Sequence, residues 1–194
     1  MSAPLNRREA VLRLLEARKD TIVVTGLGSP TYDVASAGDH HRNFYLWGAM
    51  GGAAMTGLGI ALAQPQVPVL VVTGDGEMLM GMGSFAAIAK QAPDNLSIVV
   101  IDNELYGETG AQETHTAAGA DLAEIARACG IEKAETITDM AGVDRIAATV
   151  HSLADGPRVT VIKVARTPTE KTLAIREGAH NKARMRLALG LPAD

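Results

Sequence analysis

Two short loops hold the residues whose types and spacing could do chemistry. Gly74-Asp75-Gly76-Glu77 follows the apolar run 67–73 (VPVLVVT), and Asp102-Asn103-Glu104-Leu105-Tyr106-Gly107 closes the run 96–102 (LSIVVID), with Asn103 28 positions after Asp75. Side by side they would offer one carboxylate, one amide oxygen and several backbone groups. Such an all-oxygen set suits Mg²⁺, which prefers near-octahedral oxygen ligands and often completes its shell from phosphate and water. Gly74 and Gly76 remove side chains where a phosphate must approach the backbone. A helix start expected after Gly76 would then offer unpaired N–H groups to the anion. Gly-Asp-Gly alone is usually a turn. The strand before it, and an Asn closing a second strand, point to a cofactor site.

Other residues could act around such a site. Thr109, Gln112, Thr114 and His115 follow the second loop and could orient a substrate by hydrogen bonding, and His115 could also move protons near neutral pH. The alternative for each is a polar surface loop with ordinary turn bonds. His40 and His41 read as a solvated loop, and Cys129 as helix core. Arg176, Lys182, Arg184 and Arg186 could touch an anion or a partner, although a solvated helix face accounts for them too. Arg42 is the cation nearest the motifs and a candidate anion clamp.

Alternating strands and helices must position these loops. Strands are expected over 21–25, 67–73, 96–102 and 157–165, with a weak one between the helices 121–129 and 139–153. Asn6 and Glu9 resemble a capping box ahead of a first helix. Further helices are expected over 47–63, 84–91 and 180–189. The glycines of 47–63 (WGAMGGAAMTGLGIALA) weaken a helix by up to about 1 kcal/mol each, which makes sense only where something packs close to that backbone. Near-continuous apolar strands between helices predict an α/β fold: a doubly wound, mostly parallel sheet with helices on both faces. Ligands in such sheets bind beyond the carboxyl ends of the strands. A single domain over 1–194 is expected, with a basic tail from about 171 to 194.

Composition narrows the classes. Hydrophobic residues make up 47% but aromatics only 3%, so the core must be built from Ala, Val, Ile, Leu and Met. A net charge of -4 argues against nucleic acid or anionic membrane as partner. The single cysteine excludes an internal disulfide. No run approaches the ~18 apolar residues of a membrane span, and 1–19 lacks the apolar core of a signal peptide. A cytoplasmic location is the expectation.

The Gly-Asp-Gly…Asn arrangement resembles the diphosphate signature of thiamine diphosphate enzymes. By that resemblance Asp75 and the Asn103 side chain bind Mg²⁺ and the Leu105 carbonyl is the third protein ligand. Gly74, Gly76, the N–H of Glu77, Tyr106 and Gly107 line the cofactor site. Such enzymes often carry Asn where this chain has Asp102, and a small residue where it has Glu77, whose carboxylate should point away from a diphosphate. The segment Trp47-Gly48-Ala49-Met50-Gly51 resembles the one holding the aminopyrimidine ring. There the Gly48 carbonyl would accept from the 4'-amino group, and Met50 would be the apolar wedge that bends the cofactor into its reactive shape.

The runs NFYLWGAMG, GDGEMLMGMGSFAAIA and DNELYGETGAQETHT are similar to the β subunit of sulfopyruvate decarboxylase and to the C-terminal part of phosphonopyruvate decarboxylase. The resemblance implies a lyase in which a small 2-oxo acid loses CO₂, the thiazolium serves as electron sink, and an aldehyde is released. It also implies a separate pyrimidine-binding α subunit that supplies the activating Glu, since only 73 residues precede Gly74. A homodimer contact of this chain and an α2β2 or larger assembly follow from symmetry.

Three other readings compete. An ordinary nucleotide-binding domain would show Gly-x-Gly-x-x-Gly after the first strand, but Gly26-Leu27-Gly28 is followed by Thr at 31. A non-catalytic regulatory subunit would not need Asp75 and Asn103. The same cofactor used for carboligation, or for another 2-oxo acid, stays open, because substrate choice lives in other loops and in the partner.

Overall fold

The computed structural model describes residues 4–153 and 156–194. Residues 1–3 and 154–155, which the expected domain also takes in, lie outside the described residues. Elements run in the order α1 (Arg7–Glu16), β1 (Ile22–Thr25), α2 (Ser29–Ser36), β2 (Asn43–Tyr45), α3 (Ala53–Ala63), β3 (Val69–Gly74), α4 (Asp75–Met80), α5 (Ser84–Gln91) and β4 (Leu96–Asp102). There follow β5 (Leu105–Tyr106), β6 (Gln112–Glu113), α6 (Leu122–Ala128), β7 (Lys133–Ile137), α7 (Met140–Ala147), β8 (Arg158–Lys163) and α8 (Gly178–Ala188).

The main sheet has six strands in the order β2-β1-β3-β4-β8-β7, and every pairing in it is parallel. Strand period two splits the apolar residues between the two faces. Ile22, Val24, Val69, Val71, Ile98 and Val100 pack with α3, α5 and α6 on one side. Val23, Leu70, Val72, Val99 and Ile101 pack with α1, α2 and α7 on the other. Both faces are covered, as an apolar parallel sheet requires. Strand order reverses between β1 and β3, so the carboxyl ends of these two strands frame a crevice.

Local chemistry sets the boundaries. Asn6 caps α1 by accepting from the N–H groups of Arg8 and Glu9 at 3.0 and 3.2 Å. Asp121 and Asp139 cap α6 and α7 in the same way. In α3 a Cβ on Gly57 would lie 2.2 Å from Val71 on β3, so the helix can approach the sheet only at a glycine. Gly59, by contrast, faces open space.

Several boundaries differ from the sequence reading; α7, for one, ends at Ala147 and not at 153. The glycine-rich helix starts at Ala53, not at 47, because Gly48 and Gly51 sit at φ 76° and 92°, outside the right-handed helical region. The helix after β3 starts at Asp75 itself with Gly74 as its cap, not after Gly76. The tail does not lie free in solvent. Its helix α8 buries Asn181 and Met185, and Asn181 Nδ2 donates to the Tyr45 carbonyl of β2 at 2.9 Å. No helix among the described residues is long and apolar enough to cross a membrane.

Candidate active site

A pocket opens at the carboxyl edge of the sheet, at the reversal between β1 and β3. Residues 27–30, 74–77 and 105–109 line it, with Asn103, Ile101, Met50 and Arg7. The expected residues Gly74, Asp75, Gly76, Glu77, Asn103, Leu105, Tyr106 and Gly107 therefore come together. They do so because β3 and β4 are neighbours in register, Gly74 opposite Ile101.

Asp75 is 2% exposed. Thr114 Oγ1 donates to its Oδ2 at 2.5 Å, and Thr116 Oγ1 lies 3.3 Å from the same oxygen. Neither hydroxyl takes Oδ1. Asp75 has no ion-pair partner among the described residues, and burial raises its pKa to about 6, with Thr114 opposing. A buried carboxylate without a counter-ion is costly unless something cationic completes it. Asn103 Oδ1 accepts from Leu105 N at 3.1 Å, which folds the second loop into an Asx turn and leaves that oxygen a further lone pair.

Asp102, beside Asn103, is also buried, but its charge is matched. Lys163 Nζ on the adjoining β8 is 3.0 Å from Oδ2, while Oδ1 accepts from Thr116 at 2.9 Å and from the N–H of Glu104 at 3.1 Å. Thr116 Oγ1 thus sits between Asp75 and Asp102, and its single proton serves one of the two carboxylates at a time. Between the proposed ligands, Glu104 sits at φ 63°, a conformation that costs a non-glycine residue of order 1 kcal/mol or more. Ion pairs to Lys163 and Arg166 hold it there, at 2.5 and 2.6 Å.

Glu77 turns away from the open crevice into the protein. Its Oε2 accepts from Thr73 Oγ1 at 2.8 Å, and Oε1 has no partner in good hydrogen-bond geometry among the described residues, although backbone N–H groups lie near. Burial pushes this carboxyl up from its ordinary value, with Thr73 and the nearby backbone N–H groups of Ala53, Gly51 and Leu27 pulling it back. The carboxylate thus lies beneath both the 26–28 loop and the start of α3. A Cβ on Gly26 would come within 1.5 Å of Glu77 Oε2, so a larger residue there would have to displace the Glu77 carboxylate.

Segment 47–52 forms the outer lip. Gly48, Ala49 and Met50 are exposed, and Met50 lines the pocket. Gly48 lies beside the pocket without lining it. Backbone meets backbone where Gly51 touches Gly81, since a Cβ on Gly81 would lie 2.2 Å from the Gly51 carbonyl oxygen. Met80 and Met82, on either side of Gly81, are exposed beside this contact.

Several sequence candidates fall elsewhere. The antiparallel pair β5–β6 carries Thr109 to the pocket, whereas Gln112 is exposed and bonds back to Thr109 at 2.9 Å. Thr114 is buried against Asp75 and orients that carboxylate, not a substrate. His115 is exposed and does not line the pocket, because the chain turns outward after Thr114. Arg42 is at the wrong end: it precedes β2 and pairs with Asp20, at the amino edge of the sheet. His40 and His41 stack on each other at 4.2 Å near that edge, and burial with neighbouring cations lowers the His40 pKa to about 4. Cys129 ends α6 against the core. Arg184 pairs with Asp39 at 2.6 Å and Arg176 lies over the Trp47 ring at 5.2 Å, while Arg186 bonds within the tail and Lys182 is exposed.

Sequence reasoning missed α2, β2 and Arg7 in the pocket wall; Leu27, Gly28, Ser29 and Pro30 follow β1, at a strand carboxyl end where a ligand was expected, and Glu108 follows the second loop. Pro30 in the first turn of α2, just after Gly28, was the available signal for that helix. Nothing local marks Arg7, which reaches the pocket through tertiary folding alone.

Residues 26–164 match the thiamine pyrophosphate enzyme C-terminal TPP binding domain. The chain is 40% identical over 128 residues to the sulfopyruvate decarboxylase subunit beta of Methanococcus maripaludis, covering 66% of this chain and 68% of that one. It is 39% identical over 163 residues to the phosphonopyruvate decarboxylase of Streptomyces viridochromogenes, covering 84% of this chain but 40% of the relative. Among solved structures, benzoylformate decarboxylase from Polynucleobacter necessarius superposes with a TM-score of 0.71 at 17% identity, over 87% of this chain and 34% of that one.

Proposed function

The chain belongs to the thiamine pyrophosphate enzymes through their C-terminal TPP binding domain, and from that premise we propose that it is the diphosphate-binding subunit of a Mg²⁺-dependent decarboxylase of a small 2-oxo acid. The observation that carries this reading is Asp75: a buried carboxylate in the pocket wall, oriented by two hydroxyls, without an ion-pair partner among the described residues, with Asn103 on the neighbouring strand end. That donor set fits Mg²⁺. Asp75, the Asn103 side chain and the Leu105 carbonyl would hold the metal, and Gly74, Gly76 and the Glu77 N–H would face the diphosphate.

When bound, the cofactor supplies a thiazolium that accepts the electron pair left by departing CO₂. The residues of this chain bind and orient. Thr114 and Thr116 fix Asp75. Lys163 neutralises Asp102, so the second loop adds no uncompensated charge beside the phosphates. The exposed Met50, next to the Gly48 carbonyl, is placed to press on the cofactor from the lip, where positioning can supply a large part of the rate. His115, at the surface, has no part in this reading.

The relatives named subunit beta support a split enzyme. So do the exposed Met50, in the pocket wall, and Met80 and Met82, flanking the Gly81 that meets Gly51, because apolar, adaptable surface near a site suits a protein partner. We assign the missing activating carboxylate to a pyrimidine-binding partner chain, and a sulfonate- or phosphonate-bearing 2-oxo acid as substrate class, by analogy with the relatives' names.

The test is calorimetric titration of thiamine diphosphate with Mg²⁺, on this chain alone and assembled with the product of the neighbouring gene. Binding should strengthen in the assembly and vanish on chelation, and the assembly should release CO₂ from an anionic 2-oxo acid. Metal-independent binding, or none in either preparation, would refute the assignment.

A further inference from the structure

The pocket holds a cation from outside the matched family domain. Arg7 precedes residues 26–164, yet its side chain lines the pocket beside Gly28 and Ser29 and the residue is 6% exposed. As the first residue of α1 it opposes the helix dipole, and a buried cation is costly unless fully paired. Its pairing here is incomplete. The buried Asp33 carboxylate lies 3.4 Å from Nε of Arg7 and 3.4 Å from Nε of Arg8, so two guanidinium groups share one carboxylate. Nη2 of Arg7 donates to Thr169 Oγ1 on the tail. Its Nε makes no hydrogen bond, and Nη1 has no hydrogen-bond partner among the described residues. Burial lowers the Arg7 pKa, with Asp33 opposing. The other charged side chains of the pocket wall are acidic: Asp75, Glu77 and Glu108, the last held by Lys171 at 3.1 Å.

We propose that Arg7 is the oxyanion ligand of this pocket, its guanidinium fixed from behind by Asp33 and by Thr169 so that its remaining N–H edge receives a tetrahedral oxyanion. A planar guanidinium matches phosphate-type oxygens with parallel N–H groups. The inference rests on the cofactor reading, which offers two sources of such an anion: the diphosphate of the cofactor, or the sulfonate or phosphonate of the substrate. It also gives the segments flanking the family domain a function. The Ala165 N–H donates to the Leu5 carbonyl at 2.7 Å, which brings the N-terminal helix and the tail together over the carboxyl edge.

The experiment compares the parent with Arg7→Gln and Arg7→Lys in the assembled enzyme. Loss of a charge-assisted bond should weaken the affected ligand about ten- to a hundredfold, with partial recovery in Arg7→Lys. If thiamine diphosphate weakens by that factor and thiamine monophosphate by much less, the anion is the cofactor's. If cofactor affinity holds while KM rises for the sulfonated or phosphonated acid and not for pyruvate, it is the substrate's. Unchanged affinity and unchanged KM would overturn the proposal. Should the variants fail to fold, the Arg7 Nε–H resonance of the parent chain can be followed during titration with inorganic pyrophosphate. A saturable shift supports Arg7 even if thiamine diphosphate does not bind, and so separates this inference from the cofactor reading; no shift overturns it.

Discussion

Asp75 and Met50 line one pocket, yet they are built in opposite ways. Asp75 is 2% exposed and clamped by Thr114 and Thr116, at the start of α4, beside a loop locked by Lys163 and Arg166. Met50 is 37% exposed, in a segment that touches the opposing loop mainly at the Gly51–Gly81 contact. The acidic side of the pocket is thus organised within this chain, while the lip is the part that, in the function we propose, another surface completes. Preorganisation is placed where charge must be held, because a misplaced charge in a dry site costs far more than a misplaced thioether.

The comparison breaks most sharply at Asp75. Asp75→Ala should lower thiamine diphosphate affinity, read by calorimetry, more than about a hundredfold, beyond the ten- to hundredfold loss usual for an outer-sphere partner, while circular dichroism stays that of the parent. Asp75→Asn separates metal binding from fold. A carboxyl whose folded pKa is raised to about 6 favours the fold below its unfolded value near 3.8, and that advantage is lost as pH rises through 6. The metal-free Asn variant should therefore be more stable than the parent at pH 8, by up to about 3 kcal/mol, and equal to it near pH 4. Denaturant midpoints at the two pH values check this.

Gly81→Ala tests the join between the two regions. A Cβ 2.2 Å from the Gly51 carbonyl must displace backbone, not a flexible side chain. We expect a loss of about 1–3 kcal/mol in thermal or denaturant unfolding, with turnover falling as the lip moves. Met50→Ala should have the smallest effect on the chain itself. Stability should change by no more than about 0.5 kcal/mol and cofactor affinity little, while turnover of the assembled enzyme drops by about ten- to a hundredfold. Unchanged turnover would remove the wedge role.

What the sequence determined by itself is the set of patterns that are local. The β-branched runs of β3 and β4, the helix 84–91, the Asn6 cap and the Gly-Asp-Gly…Asn spacing could all be read from neighbours along the chain, because strand period, capping and turn chemistry act over a few residues. The start of α3 differs from the expectation because the glycines of WGAMGG can be reconciled with a helix through close packing, whereas the positive φ of Gly48 and Gly51 excludes one there. Tertiary structure alone decided the rest. Thr114 and Thr116 became the holders of Asp75, 39 and 41 positions away. Lys163 became the counter-charge of Asp102 because β8 lies beside β4. Arg42, close in sequence to the lip, was carried to the opposite edge of the sheet, whereas Arg7, far from every motif, was folded into the pocket. A strand's two ends lie on opposite sides of the domain, so sequence proximity to a motif does not settle which edge a charge will serve; strand order and direction do.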